Sequence, residues 1–257
     1  MCTLAVYFRV IEDLPVIVAA NRDEHYDRPS AAPHLWSTKP SVLAGQDLLA
    51  GGTWLGINEH GLLAGILNRR SNGEPDHSLV KSHSRSRGLL CLDILSFKSA
   101  AAACEFINRH KGIYQPFTVV FVDPREAWIA YNIREKIETR KLDIGLHVYS
   151  SAADFDVRSE KIDRARVRFA RIVKGSPPNC SDKADWVRAL HTVLGDHTLG
   201  NGSIDPREAV CVHGEAAGTV SSTIIFYSQS ERRFYSFNCS GPPCCEPFGE
   251  ALQLDVG

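Results

Sequence analysis

The sequence predicts an α+β fold, with antiparallel sheets covered by helices in one domain over 1–257. Three observations lead there. Strand-like pairs open the chain and nearly close it. Amphipathic helical stripes occupy its middle and late portions. No linker or internal repeat divides it. At 257 residues the chain is long enough for a substantial core.

Taken in order, Thr3 to Val10 reads as a strand, Glu12-Asp13 as its turn and Leu14 to Asn21 as the return strand. Tyr26 to Pro40 carries Pro29, Pro33, Pro40, His34 and Trp36 and reads as a long loop. Val42 to Gly45 is a short strand. Thr53 to Asn58 and Leu62 to Asn68 pair around Glu59-His60-Gly61, and Asn68-Arg69-Arg70 closes that hairpin. The glycines of Gly51-Gly52-Thr53-Trp54-Leu55-Gly56 read as bends, because neither a dinucleotide-type nor a P-loop glycine pattern occurs.

A polar loop to about His83 precedes a helix from Leu89 to Leu95. Ser99 caps a second helix, Ala100 to Arg109, with Ala103, Phe106 and Ile107 on one face. Four strands follow in succession: Phe117 to Val122, Ala127 to Asn132, Lys136 to Arg140 and Leu146 to Tyr149. Val157 to Val173 carries a helical stripe of Ile162, Ala165, Phe169, Ile172 and Val173. Ser181 caps a helix from Ala184 to Leu194. Ser222 to Tyr227 and Arg233 to Asn238 form a last hairpin, and the tail after Gly241 reads as irregular.

Charge narrows the function classes. There are 29 basic and 30 acidic side chains, a formal net charge of −1, so nothing favours nucleic acid or an anionic membrane as partner. Leu4 to Ala20 is interrupted by Arg9, Glu12, Asp13 and Pro15, which breaks any signal-peptide pattern, and no stretch is apolar for long enough to span a bilayer. The expectation is a soluble cytoplasmic protein without stable membrane insertion. The cysteines are Cys2, Cys91, Cys104, Cys180, Cys211, Cys239, Cys244 and Cys245; no CxxC pair occurs, so the zinc signal is poor and no metal is expected. Cys244-Cys245 lies among Pro242, Pro243 and Pro247 and reads as a loop, with metal or redox use there a minor alternative. Cys91 and Cys104 sit in apolar runs and are expected to be buried.

The chemistry concentrates at the start of the chain. Cys2 follows Met1, and removal of Met1 leaves a free α-amine beside the Cys2 thiol. Their ordinary pKa values, about 7.7–8.0 and about 8.5, let the amine act as base near neutral pH. A hairpin of these lengths returns Arg22 and Asp23 to Cys2, so a nucleophile, a cation and a carboxylate converge.

Several separated motifs then match one family. The chain resembles the Asn-Arg-Asp-Glu family, also called the transport and Golgi organisation 2 family, in Met1-Cys2-Thr3, Asn21-Arg22-Asp23-Glu24-His25, Leu43-Ala44-Gly45-Gln46-Asp47, Gly51-Gly52-Thr53-Trp54-Leu55-Gly56, Ser86-Arg87-Gly88 and Gly218-Thr219-Val220-Ser221-Ser222-Thr223. That family is similar to the N-terminal-nucleophile hydrolases of the choloylglycine hydrolase and penicillin V acylase type. The resemblance implies a four-layer αββα sandwich with two stacked antiparallel sheets. It implies Cys2 as nucleophile, Arg22 as thiolate stabiliser, Asp23 as holder of the α-amine and Asn68 as oxyanion donor. Asn21, Trp54, Arg70 and Ser151 are assigned to substrate contacts. Two positions depart from the family pattern: Ser150-Ser151 stands where Ser-Asn is usual, and Val220 where Arg is usual.

The leading functional reading is a cysteine-nucleophile amidohydrolase or acyltransferase on a small acyl substrate, with no cofactor. The second is a non-catalytic carrier of an amphipathic ligand, lipid, acyl-CoA or haem, as the resemblance to the eukaryotic members suggests. A haem role calls for an axial ligand, with His25, His34, His60 and His147 as candidates. The third, least supported by the sequence, is an interaction module in membrane trafficking. The oligomeric state is left open.

Overall fold

The computed structural model describes residues 2–69, 84–110, 113–133, 136–151, 159–175, 177–179, 182–200 and 202–257. Strand β1 (Thr3–Phe8) is buried along its whole length, because both of its faces are covered. Leu4, Val6 and Phe8 enter one apolar cluster, whereas Ala5 and Tyr7 enter another. Strand β2 (Val16–His25) alternates the same way, with Val16 and Val18 in the first cluster and Ile17 and Ala19 in the second.

The chain continues as β3 (Ser30–Trp36), β4 (Val42–Asp47), β5 (Leu55–Asn58), β6 (Leu63–Asn68), α1 (Arg87–Leu95), α2 (Ala100–Arg109), β7 (Phe117–Val122), β8 (Ala127–Ile133), β9 (Lys136–Lys141), β10 (Gly145–Ser150), α3 (Glu160–Val173), α4 (Lys183–Leu194), β11 (Ala217–Ser228), β12 (Arg233–Cys239) and β13 (Leu252–Asp255). Two sheets result, both antiparallel. One has the order β10-β1-β2-β11-β12-β13 and the other β3-β4-β5-β6-β7-β8-β9.

Three apolar clusters separate four layers. The innermost joins the sheets, packing Leu4, Val18 and Ile225 of the first against Leu55, Leu63 and Val120 of the second. A second lies between the seven-stranded sheet and α1 and α2, through Leu90, Ile94, Ala103 and Ile107. A third lies between the six-stranded sheet and α3 and α4, through Ala165, Phe169, Trp186 and Leu190. The order is therefore helix, sheet, sheet, helix. Tyr7 crosses the third interface and keeps its hydroxyl satisfied by donating to the Phe169 carbonyl at 2.7 Å. No helix among the described residues is long and apolar enough to cross a membrane.

Two sequence expectations are corrected. Tyr26 to Pro40 is not all loop, since it contains β3, the edge strand of the seven-stranded sheet. Most of β3 is exposed, and Pro33 is tolerated because an edge strand has no second neighbour to bond. The tail past Gly241 is not all irregular, since it supplies the opposite edge strand, β13. The four strands expected from Phe117 onward are present and divide between the sheets: β7, β8 and β9 pair in turn, and β10 joins the other sheet beside β1. Helix α4 is capped by Asp182, whose carboxylate accepts from the Asp185 N–H at 3.1 Å; the expected cap, Ser181, lies outside the described residues.

The third interface gives a direct test of the layering. Phe169 is wholly buried between α3 and the six-stranded sheet. Phe169→Ala is expected to lower unfolding free energy by about 3–5 kcal/mol in urea titration. A loss under about 0.5 kcal/mol, the ordinary range for surface changes, would show that α3 does not close this face.

Candidate active site

Pairing in β1 and β2 builds the site. Thr3 faces Asn21 across the hairpin, so Cys2 lies at the end of β1 beside Arg22. Strand alternation puts Cys2, Arg22 and Glu24 on the inter-sheet side and Asn21 and Asp23 on the side toward α3 and α4. Cys2, Arg22, Glu24, Trp54 and Asn68 line one cavity of about 190 Å³. Its remaining wall comes from Arg28, Asp47, Thr53, Ile66 and the start of α1 at Ser86, Arg87 and Gly88.

Cys2 is half-buried, and its Sγ lies 3.8 Å from the Asp23 carbonyl oxygen. Burial pushes its thiol up from the ordinary value, and the nearby Asp23 and Glu24 carboxylates push the same way. Arg22 is buried and donates through Nη1 to Ser30 Oγ at 3.0 Å. Its guanidinium stacks over Trp54, 4.2 Å from the ring centre. Burial lowers the Arg22 pKa, while Glu24 and Cys2 act to raise it. Arg28 holds Asp47 through two hydrogen bonds of 3.0 and 2.7 Å, and Asp47 also accepts from the Leu49 and Ala50 N–H groups.

Two glycines bring these pieces within reach. A Cβ on Gly45 would stand 2.6 Å from the Trp54 ring, and one on Gly52 would stand 2.3 Å from the Gly88 carbonyl carbon. The glycine-rich stretch therefore serves close backbone approach, not only bends, and it fastens the start of α1 to the cavity wall.

The other expected residues fall in different places. Asp23 is buried, and its Oδ1 accepts from Thr219 Oγ1 at 2.6 Å. Asn21, expected among the substrate contacts, instead braces the fold. Its amide donates to the Leu194 and Val210 carbonyls, each at 2.9 Å, and its oxygen accepts from Ser222 Oγ at 2.6 Å. Ser151 is buried, and its N–H donates to the Cys2 carbonyl at 3.1 Å. Arg70 lies outside the described residues. Val220 occupies a bulge where β11 slips register between Thr219, which faces Asp23, and Ser221, which faces Arg22. None of His25, His34, His60 or His147 lines the cavity.

Sequence reasoning passed over Lys161, Thr219 and Arg87. Lys161 is fully buried on α3, and its Nζ donates to the Arg207 carbonyl at 3.0 Å. Burial pushes its ammonium down, opposed by the carboxylates of Asp23 and Glu208. A signal for it exists, since Lys161 precedes Ala165 and Phe169 at four-residue steps on the apolar stripe. A lysine there is a buried cation by position.

A family model for Transport and Golgi organisation 2 matches residues 1–236. The chain belongs to this family. The mouse Transport and Golgi organization 2 homolog is 34% identical over 113 residues, which is 42% of this chain and 38% of the mouse protein. The human homolog is 46% identical over 56 residues, 21% of this chain and 20% of the human protein. The matched segments thus span well under half the length of these relatives. Among solved structures, penicillin V acylase from Agrobacterium tumefaciens aligns with a TM-score of 0.61 at 17% identity, covering 91% of this chain and 82% of that one. The C2A mutant of conjugated bile acid hydrolase from Clostridium perfringens aligns at 0.61 and 13%, covering 92% and 88%. The Caenorhabditis elegans ortholog of N-acylethanolamine-hydrolyzing acid amidase aligns at 0.57 and 13%, covering 87% and 92%. At these identities the likeness establishes the four-layer N-terminal-nucleophile hydrolase fold.

The brace role of Asn21 is testable apart from any reaction. Asn21→Leu leaves two buried carbonyls and the Ser222 hydroxyl without their partner and is expected to cost about 3 kcal/mol in denaturant unfolding. An unchanged midpoint would return Asn21 to the set of residues free to contact a ligand.

Proposed function

We propose that this chain is a cysteine-nucleophile amidohydrolase or acyltransferase that acts on a small acyl-amide or acyl-thioester. The observation that carries the reading is the gathering of Cys2, Arg22 and Asn68 around one cavity. The family membership and the fold shared with proteins named as an acylase, a bile acid hydrolase and an amidase support it.

The chemistry starts with loss of Met1. The freed α-amine of Cys2 takes the thiol proton, and the sulfur attacks the substrate carbonyl. The Asn68 side-chain amide donates to the oxygen as it gains charge, and Arg22 offsets the negative charge around the sulfur. Collapse of the tetrahedral intermediate breaks the C–N bond. The protonated α-amine returns its proton to the leaving amine, and a thioester remains on Cys2. Water, or an acceptor amine, then attacks the thioester and releases the acyl group. Asp23, fixed by Thr219, holds the α-amine.

The cavity also suggests the head group. Arg22 and Arg87 hydrogen-bond to neutral groups, Ser30 Oγ and the Pro116 carbonyl, and the N-terminus of α1 opens on the same space. A carboxylate or phosphate on the substrate answers this arrangement. The second reading, carriage of an amphipathic ligand without turnover, draws on the raised Cys2 thiol and on Val220 in the bulge.

Thiol reactivity against pH separates the two forms of the protein. A raised thiol pKa holds Cys2 protonated at neutral pH, so its alkylation rate rises only as pH passes above the ordinary thiol value. Once Met1 is gone, the adjacent amine is expected to bring that midpoint down. Iodoacetamide labelling with peptide mapping, on Met1-bearing and Met1-free protein, measures both curves. Coincident curves would remove the amine from the mechanism. On a panel of anionic acyl-amides and acyl-thioesters, Cys2→Ala is expected to abolish turnover. Binding without turnover in both wild type and Cys2→Ala would move the assignment to the carrier.

A further inference from the structure

Away from this cavity, four side chains with soft or imidazole donors meet at the surface. They are His197, just after α4; Cys211 and His213, in the segment before β11; and Cys244, in the loop before β13. One ligand atom from each lies within 4.8 Å of all the others. Cys211 Sγ is 3.7 Å from Cys244 Sγ and 3.8 Å from His213 Nε2, and His213 Nε2 is 3.2 Å from Cys244 Sγ.

These separations carry a specific meaning. Zinc bonds of about 2.3 Å to sulfur and about 2.0–2.1 Å to nitrogen, arranged tetrahedrally, require sulfur–sulfur edges near 3.75 Å and sulfur–nitrogen edges near 3.55 Å. The sulfur edge matches, and the two nitrogen edges straddle the required value. A disulfide would need the sulfurs about 2.05 Å apart. His197 adds an orienting contact, with Nδ1 3.2 Å from the Cys211 carbonyl oxygen. A proton on that nitrogen leaves the lone pair on Nε2, the arrangement that commonly orients a ligating imidazole.

We propose that His197, Cys211, His213 and Cys244 form a structural zinc site. Two thiolates and two neutral imidazoles match the divalent charge and the tetrahedral preference of zinc, and the two thiol protons leave as the metal binds. Four protein ligands close the coordination sphere, so the ion clips and does not catalyse.

What it clips is informative. Cys211 N–H already donates to the Asp196 carbonyl at 2.9 Å. Val212 N–H donates at 2.9 Å to Thr219 Oγ1, the group that holds Asp23. Asn21 holds the Val210 and Leu194 carbonyls on either side. The ion ties the loop at Cys244 and the end of α4 to the segment that seats Asn21 and Asp23. The ligands come from three stretches separated by 14 and 31 positions, which is why no short cysteine motif announces them.

The test uses the full chain, purified under reduction, exposed to zinc and desalted. Stoichiometric zinc by elemental mass spectrometry is expected. Cobalt in its place should give thiolate-to-metal charge transfer and the visible bands of a tetrahedral site. Cys244→Ser, at an exposed position, should weaken zinc binding at least about 100-fold and remove the zinc-dependent rise in melting temperature. Cys245→Ser, whose sulfur lies 3.5 Å from Cys244, should leave both unchanged. If Cys244→Ser does not fold, His213→Gln takes its place. Protein that holds no zinc after exposure, a cobalt spectrum unaltered in Cys244→Ser, or a Cys211–Cys244 disulfide under these conditions would each overturn the proposal.

Discussion

The backbone pairing of β1 with β2 sets the conditions for everything around it. With Thr3 opposite Asn21, the end of β1 delivers Cys2 to a strand that is buried on both faces and still carries Asn21, Arg22 and Asp23. Three buried polar residues in a row demand partners, because each orphaned group costs about 1–3 kcal/mol. The fold answers each separately. Asn21 is met by carbonyls at the end of α4 and before β11, Asp23 by Thr219, and Arg22 by Ser30 and the face of Trp54. The layers around β2 are arranged so that these demands are met from both sides.

This division gives the two faces of β2 different duties. The inter-sheet face carries Cys2 and Arg22 into the cavity, with Asn68 arriving from β6 of the other sheet. The outer face is a brace, tied by Asn21 and Asp23 to β11, to the segment before it and to α4. The proposed zinc site extends that brace to the loop at Cys244. The bulge at Val220 falls between the partners of Asp23 and Arg22, at the point where the two duties meet.

Much of this was legible in the sequence, for identifiable reasons. Continuous apolar runs bounded by turns gave the central strands, since burial on both faces leaves that mark. The return of a short hairpin placed Arg22 beside Cys2 without any knowledge of the fold. Edge strands were not legible. β3 is mostly exposed and contains Pro33, and β13 alternates over only four residues, so neither carries an apolar run. Sheet membership was equally hidden, because β10 follows β9 closely in sequence but leaves for the other sheet. Asn21, polar and close to Cys2, reads in the sequence as a ligand contact; its buried partners are visible only in the fold. Lys161 was missed because a lysine in a charged helix reads as solvated, whereas here it stands on the buried face four residues before Ala165.

Trapping the covalent intermediate tests the nucleophile assignment most directly. Protein with Cys2 at its amino terminus would be mixed with an acyl-thioester bearing a carboxylate head group, quenched in acid within the first turnover and mapped by mass spectrometry. The account predicts one acyl adduct, on the peptide that begins at Cys2, which hydroxylamine removes. An adduct on Cys244 or Cys245 with Cys2 left free, or product release with no acylated Cys2 at any quench time, would contradict it.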